Sequence, residues 1–139
     1  MSKFLLDTNI VSAAMWAKPD PSVLQRLRKH GGECAMSSLT WHELRFGVGR
    51  LPRGKRKTVL EDFLEEVVEP TIPVLPYDDR AAVWHAAERA RLEKAGRLAP
   101  FVDGQIAATA VVNGLTLVTD NLKDFGAFRG IRLVNWLAE

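Results

Sequence analysis

Cysteine is almost missing from this chain: Cys34 stands alone, so neither an internal disulfide nor a thiolate metal cluster can form. Its setting, ECAM from Glu33 to Met36, reads as a strand, and a buried thiol is the expectation. Long apolar runs are missing too. The longest, IAATAVVNGLTLV, is broken by Asn113 and Gly114 well short of the ~20 residues a membrane span requires. The apolar run in MSKFLLDTN is too short for a signal peptide, so no membrane association and a cytoplasmic location are expected. Nor does one sign of charge dominate: 19 Lys and Arg against 17 Asp and Glu leave +2, with a sequence pI of 8.9. That balance permits a nucleic-acid partner without arguing for one. The histidines, His30, His42 and His85, sit in separate segments without metal-ligand spacing, and none is assigned a catalytic role. A Gly-rich loop ending in GK[ST] is absent, which argues against nucleotide hydrolysis.

What is present is ordinary for a globular protein, with 47% hydrophobic and 26% charged residues in 139, enough for one core. Residues 1–139 therefore read as a single domain. Short strand-like runs alternate with longer helical ones. The strands are expected at Lys3–Leu6, Glu33–Met36, Ile72–Leu75, Leu115–Thr119 and Ile131–Val134. The helices are expected at Asn9–Ala17, Ser22–His30, Leu39–Val48, Lys55–Val68, Asp79–Ala95 and Phe101–Asn113. Pro19, Pro21, Gly31, Gly32 and Gly114 punctuate their ends. This alternation implies an α/β fold, a parallel sheet of about five strands with helices on both faces. Ligands of such sheets sit at the carboxyl ends of the strands, where Asp7 and Asp120 fall.

Four segments place an acid near an apolar boundary. In FLLDTNIV a buried-strand pattern stops at Asp7. In the helix FVDGQIAATAVV, Asp103 shares a face with Ile106, Ala107, Ala110 and Val111, because positions three, four, seven and eight apart align. Glu43 in SSLTWHELRFGVG shares a face with Leu39, Phe46 and Gly47, although Leu44, Val48 and Leu51 form a competing stripe. The strand LTLVT ends in Asp120 and Asn121, with Asp124 a turn later. Each acid has a plain alternative taken singly: turn or cap chemistry for Asp7 and Asp120, the helix dipole for Asp103, and a solvated position paired with Arg50 for Glu43. Together they would repel one another in one crevice unless a cation were present. Oxygen ligands without His or Cys suit Mg²⁺ or Mn²⁺, which keep several waters and accept one or two carboxylates directly.

The stretches FLLDTNIVSA, SSLTWHELRFGVGRLP, DGQIAATAVVNGLTLVTDNLKDF and the closing VNWLAE resemble, in this order, the PIN-domain ribonucleases, and within them the VapC-type toxins of toxin–antitoxin pairs, including the FitB-like branch. The resemblance implies a PIN-domain fold and a Mg²⁺-dependent endoribonuclease toxin of a type II toxin–antitoxin system, hydrolysing RNA phosphodiester bonds by metal-activated water. It implies that Asp7, Glu43 and Asp103 coordinate metal, with Thr8 and Asn9 in support. The family commonly places a fourth acid, or an asparagine, where this chain has Asn121; Asp120 or Asp124 is expected to supply the charge, with Asn121 as an orienter. A cognate antitoxin, an RNA substrate such as tRNA, and a homodimer or higher toxin–antitoxin assembly are the implied partners.

Basic residues cluster at Arg26, Arg28 and Lys29, at Lys55, Arg56 and Lys57, and at Arg89, Arg91, Lys94 and Arg97. They read as solvated helix faces or as phosphate contacts flanking the crevice. Trp41, His42, Trp84 and His85 could stack on bases, with packing the plainer role for the tryptophans. The stripe Val59, Leu60, Phe63, Leu64, Val67 and Val68 packs on its own domain or lines a groove for the antitoxin. Two other classes compete. A non-catalytic PIN-fold binding or regulatory module would keep its activity after Asp7→Asn or Asp103→Asn. A phosphoacceptor receiver or aspartyl-phosphate phosphatase wants a different neighbourhood, since the phosphatase needs an aspartate where Asn9 stands.

Overall fold

The computed structural model describes residues 1–137; the last two residues of VNWLAE lie outside the described residues. Five strands, β1 (Phe4–Leu6), β2 (Cys34–Ser37), β3 (Val74–Leu75), β4 (Thr116–Val118) and β5 (Leu133–Val134), form one parallel sheet in the order β3-β2-β1-β4-β5. The helices are α1 (Thr8–Met15), α2 (Pro21–Lys29), α3 (Ser38–Gly49), α4 (Lys55–Phe63), α5 (Glu69–Thr71), α6 (Asp79–Lys94), α7 (Phe101–Val112) and α8 (Leu122–Phe125).

Side chains alternate across the sheet, because successive residues of a strand point to opposite faces. Leu6, Cys34, Met36 and Val118 join Ile10, Val11, Val23, Leu44 and Val48 from α1, α2 and α3 in one core. Leu5, Ala35 and Leu117 join Leu92, Ile106, Ala107, Ala110 and Phe125 from α6, α7 and α8 in the other. Both faces are thus covered, as an all-parallel sheet requires. On α3 the stripe Leu44 and Val48 wins the buried side, and Phe46 is left 59% exposed.

Two expected boundaries move for physical reasons. The helix expected to end at Val68 continues to Thr71 through a π-helical turn, Leu64–Val68. Pro70 has no N–H for a regular i→i−4 bond, and the helix widens just before it. Ile72 then donates its N–H to the Val68 carbonyl at 2.9 Å. That bond ties Ile72 to the helix, so β3 shrinks to two residues. The short helix α8 was not expected; Gly126 N–H closes it on the Leu122 carbonyl at 2.9 Å.

The strand order sets the site. From β1 the chain moves to β2 and β3 on one side, then crosses back to β4 and β5 on the other. The carboxyl ends of β1 and β4 therefore flank a topological switch point, where open α/β sheets have their crevice. Asp7 follows β1 and Thr119–Asn121 follow β4. Among the described residues no helix is long and apolar enough to cross a membrane.

Candidate active site

Asp7 is 8% exposed and caps α1. Its Oδ1 accepts the Thr8 N–H at 2.8 Å, and its Oδ2 accepts the Thr119 hydroxyl at 2.8 Å. Its own N–H donates to the Val118 carbonyl at 2.9 Å. The carboxylate is thereby fixed between the two central strands. Thr119, fully buried, also accepts the Asn121 N–H at 3.0 Å, so one hydroxyl couples the β4 turn to Asp7.

Glu43 arrives from α3. Ser37 caps that helix through the Thr40 N–H at 3.1 Å, and the Thr8 hydroxyl lies 3.4 Å from the Thr40 hydroxyl. This contact brings the start of α3 against the start of α1, with Glu43 one turn beyond. The expected Arg50 partner does not form: the Arg50 guanidinium stacks 5.2 Å from the Phe46 ring centroid instead. Glu43 is exposed rather than set on the buried stripe.

Asp103, half-buried in the first turn of α7, reaches the same crevice from the other face of the sheet. Burial is the largest cause that pushes its pKa up to about 6, followed by the charges of Asp7, Asp124 and Glu43. Asp7 is raised as well, by burial first, against its two hydrogen bonds and with Glu43 and Asp120 adding repulsion. The five acids thus act on one another electrostatically. No lysine, arginine or histidine pairs with any of them among the described residues. Asp120 accepts from the Asn9 amide at 3.1 Å, and Asp124 from the Asn121 amide at 3.1 Å. Asp120 and Asp124 therefore stand on opposite flanks, one beside Asp7 and one beside Asp103.

Among the described residues no group of three or more His, Cys, Asp or Glu side chains is placed so that together they could hold a metal ion. The donor chemistry still fits a hydrated divalent ion, which takes one or two carboxylates and keeps its waters. Each oxygen of Asp7 uses one acceptor position in the bonds above and retains another.

Reasoning from sequence missed Thr119, Thr40 and the support beneath Asp103. A Cβ at Gly104 would collide with the His85 imidazole, and His85 is buried, its Nδ1 3.2 Å from the Tyr77 hydroxyl. His85 is therefore not free to stack on a base, and burial lowers its pKa and favours the neutral ring. A glycine directly after the acid was the available signal. Arg91 also leaves its basic cluster, since it bonds Glu88 twice at 2.9 Å. Trp84 packs against Phe128, their ring centroids 5.9 Å apart.

A family model, "PIN domain", matches residues 4–129. The chain belongs to the PIN-domain family. Within it the chain groups with VapC-type toxins. It is 37% identical over 134 residues to the VapC ribonuclease Y4jK of Sinorhizobium fredii, covering 94% of this chain and 95% of that protein. It is also 37% identical over 138 residues to the tRNA(fMet)-specific endonuclease VapC of Shigella flexneri, covering 98% and 99%. The solved structure of FitAB bound to an IR36 DNA fragment superposes with a TM-score of 0.88 at 31% identity, over 98% of this chain and 97% of that one. This PIN domain thus has the expected five-stranded parallel architecture.

Proposed function

We propose that this PIN domain is a metal-dependent endoribonuclease toxin held in check by a cognate antitoxin. The observation that carries the reading is that Asp7, Glu43 and Asp103, from three separate elements, act on one another electrostatically at the switch point, with Asp7 and Asp103 both raised, by burial first, and no cationic side chain paired with them among the described residues. Its relatives named as VapC ribonucleases, one of them tRNA-specific, support RNA as the substrate and tRNA as its class. Asp7 and Asp103 would hold Mg²⁺ or Mn²⁺, with Asp120 or Asp124 completing the acidic set. Bound there, such an ion neutralises phosphate oxygens and acidifies its waters.

The chain's own residues do the rest. Thr119 and the Thr8 N–H pin the Asp7 carboxylate so that its remaining acceptor positions face the crevice. Glu43, exposed and ionisable, accepts a hydrogen bond from the attacking water and orients it toward phosphorus. His85 and Gly104 seat the first turn of α7 and so place Asp103. No protein nucleophile is required.

A groove of about 220 Å³ beside Glu43, lined by Met15, Trp16, Leu44, Val48, Leu51 and Leu60, suits an apolar antitoxin segment, and an arginine on that segment would reach the acids. The FitAB complex among its structural relatives supports this partner. A homodimer, or a higher toxin–antitoxin assembly, is the proposed state. The test is cleavage of an end-labelled tRNA transcript by the purified toxin, with Mg²⁺ and with EDTA. The reading requires cleavage with Mg²⁺ and none with EDTA or after Asp103→Asn. Unchanged cleavage or toxicity in Asp103→Asn would instead favour a non-catalytic binding module.

A further inference from the structure

The C-terminal half of α6 and the loop that follows carry arginines of two kinds. Arg91 is committed: it bonds both oxygens of Glu88 at 2.9 Å and the Ala127 carbonyl at 3.0 Å. Arg89 and Arg97 have no ion pair among the described residues. Between them lies a cavity of about 130 Å³, which Leu98 and Phe101 also line and on which His85 opens.

Phe101 is the aromatic side chain of this cavity. It opens α7 two residues before Asp103, and it is 50% exposed. The Arg89 guanidinium lies 5.0 Å from its ring centroid. The buried His85 ring lies 5.0 Å away at an interplanar angle of 53°. Phe101 is therefore held by His85 and Arg89 while half of it stays exposed, in a cavity that Arg97 also lines. Arg97 lines this cavity and also a second one of about 210 Å³ on the far side of the loop, where Lys123 and Asp124 stand. Arg97 thus lines both the cavity that holds Phe101 and the one that holds Asp124.

We propose that this cavity is a nucleotide subsite for single-stranded RNA: a base stacks on Phe101, and the adjoining backbone phosphate lies between Arg89 and Arg97. Stacking on an aromatic ring tolerates any base, and arginine pairs with phosphate in a fork. The subsite therefore positions a strand and does not read sequence. It rests on the nuclease reading for the identity of its substrate. Glu93 lines the same cavity and pairs with neither arginine, so it opposes binding, and its removal tightens it.

Binding is measured apart from cleavage. Fluorescence anisotropy in EDTA, with a 5′-fluorescein single-stranded RNA dodecamer and the full chain, gives affinity and its salt dependence. Arg89→Ala with Arg97→Ala is expected to weaken binding about tenfold and to flatten the salt slope by about 0.7, the change for the one phosphate of a single strand that the pair no longer neutralises. Phe101→Leu weakens binding severalfold, Phe101→Tyr retains it, and Glu93→Gln strengthens it about twofold. In Mg²⁺ the double variant raises KM for RNA cleavage and leaves kcat within about twofold. Wild-type affinity and salt slope in the double variant overturn the subsite even if RNA is cleaved normally. Loss of binding accompanied by a smaller mass in light scattering also overturns it, because the surface then belongs to a second copy of this chain. If the residues bind RNA as expected and the wild type cleaves nothing in Mg²⁺, the subsite stands and the nuclease reading falls.

Discussion

Asp7 and Glu88 are equally buried, each 8% exposed, and they have opposite chemistries. Glu88 is compensated: Arg91 donates to both of its oxygens and the Arg129 N–H donates at 2.7 Å. These bonds hold its pKa below the usual glutamate value. Asp7 has two neutral donors and anionic neighbours, and burial first, with the charges of Glu43 and Asp120 added, moves its pKa up. A buried carboxylate with its cation built in serves the fold. One whose neighbours are Glu43, Asp120 and, through the crevice, Asp103 costs stability until a cation arrives. At equal residue exposure, a structural acid is thus separated from a functional one by how far its carboxylate is removed from water and by what surrounds it.

The contrast breaks most sharply in activity. Asp103→Asn is expected to lower RNA cleavage by ~10³-fold or more, the scale expected when a charge that stabilises the transition state is lost. Glu88→Gln should leave kcat within about twofold; single-turnover assays on both variants check this. In stability the ranking reverses. Glu88→Gln removes the charge to which Arg91 and the Arg129 N–H donate and should destabilise the fold, seen as a lower urea midpoint. Asp103→Asn in metal-free buffer should raise stability at neutral pH by ~1–2 kcal/mol, since it removes an acid that resists ionisation.

The pH dependence follows the same signs. Asp103 in the folded state holds its proton up to about 6, against 3.8 for the free side chain. The folded state therefore binds that proton more tightly. The associated stability is present at low pH and is lost as pH rises from about 4 through 6. Glu88 behaves oppositely: its contribution is present above the ordinary glutamate pKa and is lost as pH falls through its lowered value. Urea melts of the two variants at about pH 3, pH 4.5 and pH 7.5, without metal, should separate these slopes, the Asp103 effect appearing between the upper two values and the Glu88 effect between the lower two. The smallest effect distinguishes Asp120 from Asp124: replacing either by asparagine should weaken Mn²⁺ binding by only ~3–10-fold, and the larger loss marks the fourth acid.

Much of this was legible in the sequence because it is local or periodic. The end of β1 at Asp7 follows from an apolar run meeting DTN, and Asp103 from its place on the face of Ile106, Ala107 and Ala110. The parallel sheet followed from strands alternating with helices. What could not be read depends on contacts between distant segments. Thr119 donates to a residue 112 positions away, and nothing local marks that hydroxyl as different from any strand-end threonine. The sequence left Glu43 between two faces, one shared with Leu39, Phe46 and Gly47 and one yielding to the stripe of Leu44, Val48 and Leu51; tertiary packing buried Thr40, Leu44 and Val48 and left Glu43 exposed. His85 carries no motif, and only the missing Cβ of Gly104 reveals its contact. The shortened β3 and the π turn before Pro70 are backbone compromises that periodicity does not encode.

Calorimetric titration of Mn²⁺ into the purified, metal-free chain at pH 7.5 tests the central claim most directly, in parallel with Asp103→Asn and Glu88→Gln. The account predicts saturable binding to the wild type and to Glu88→Gln, accompanied by a rise in melting temperature, with both responses abolished in Asp103→Asn. Equal binding by all three proteins, or none by the wild type, would contradict it.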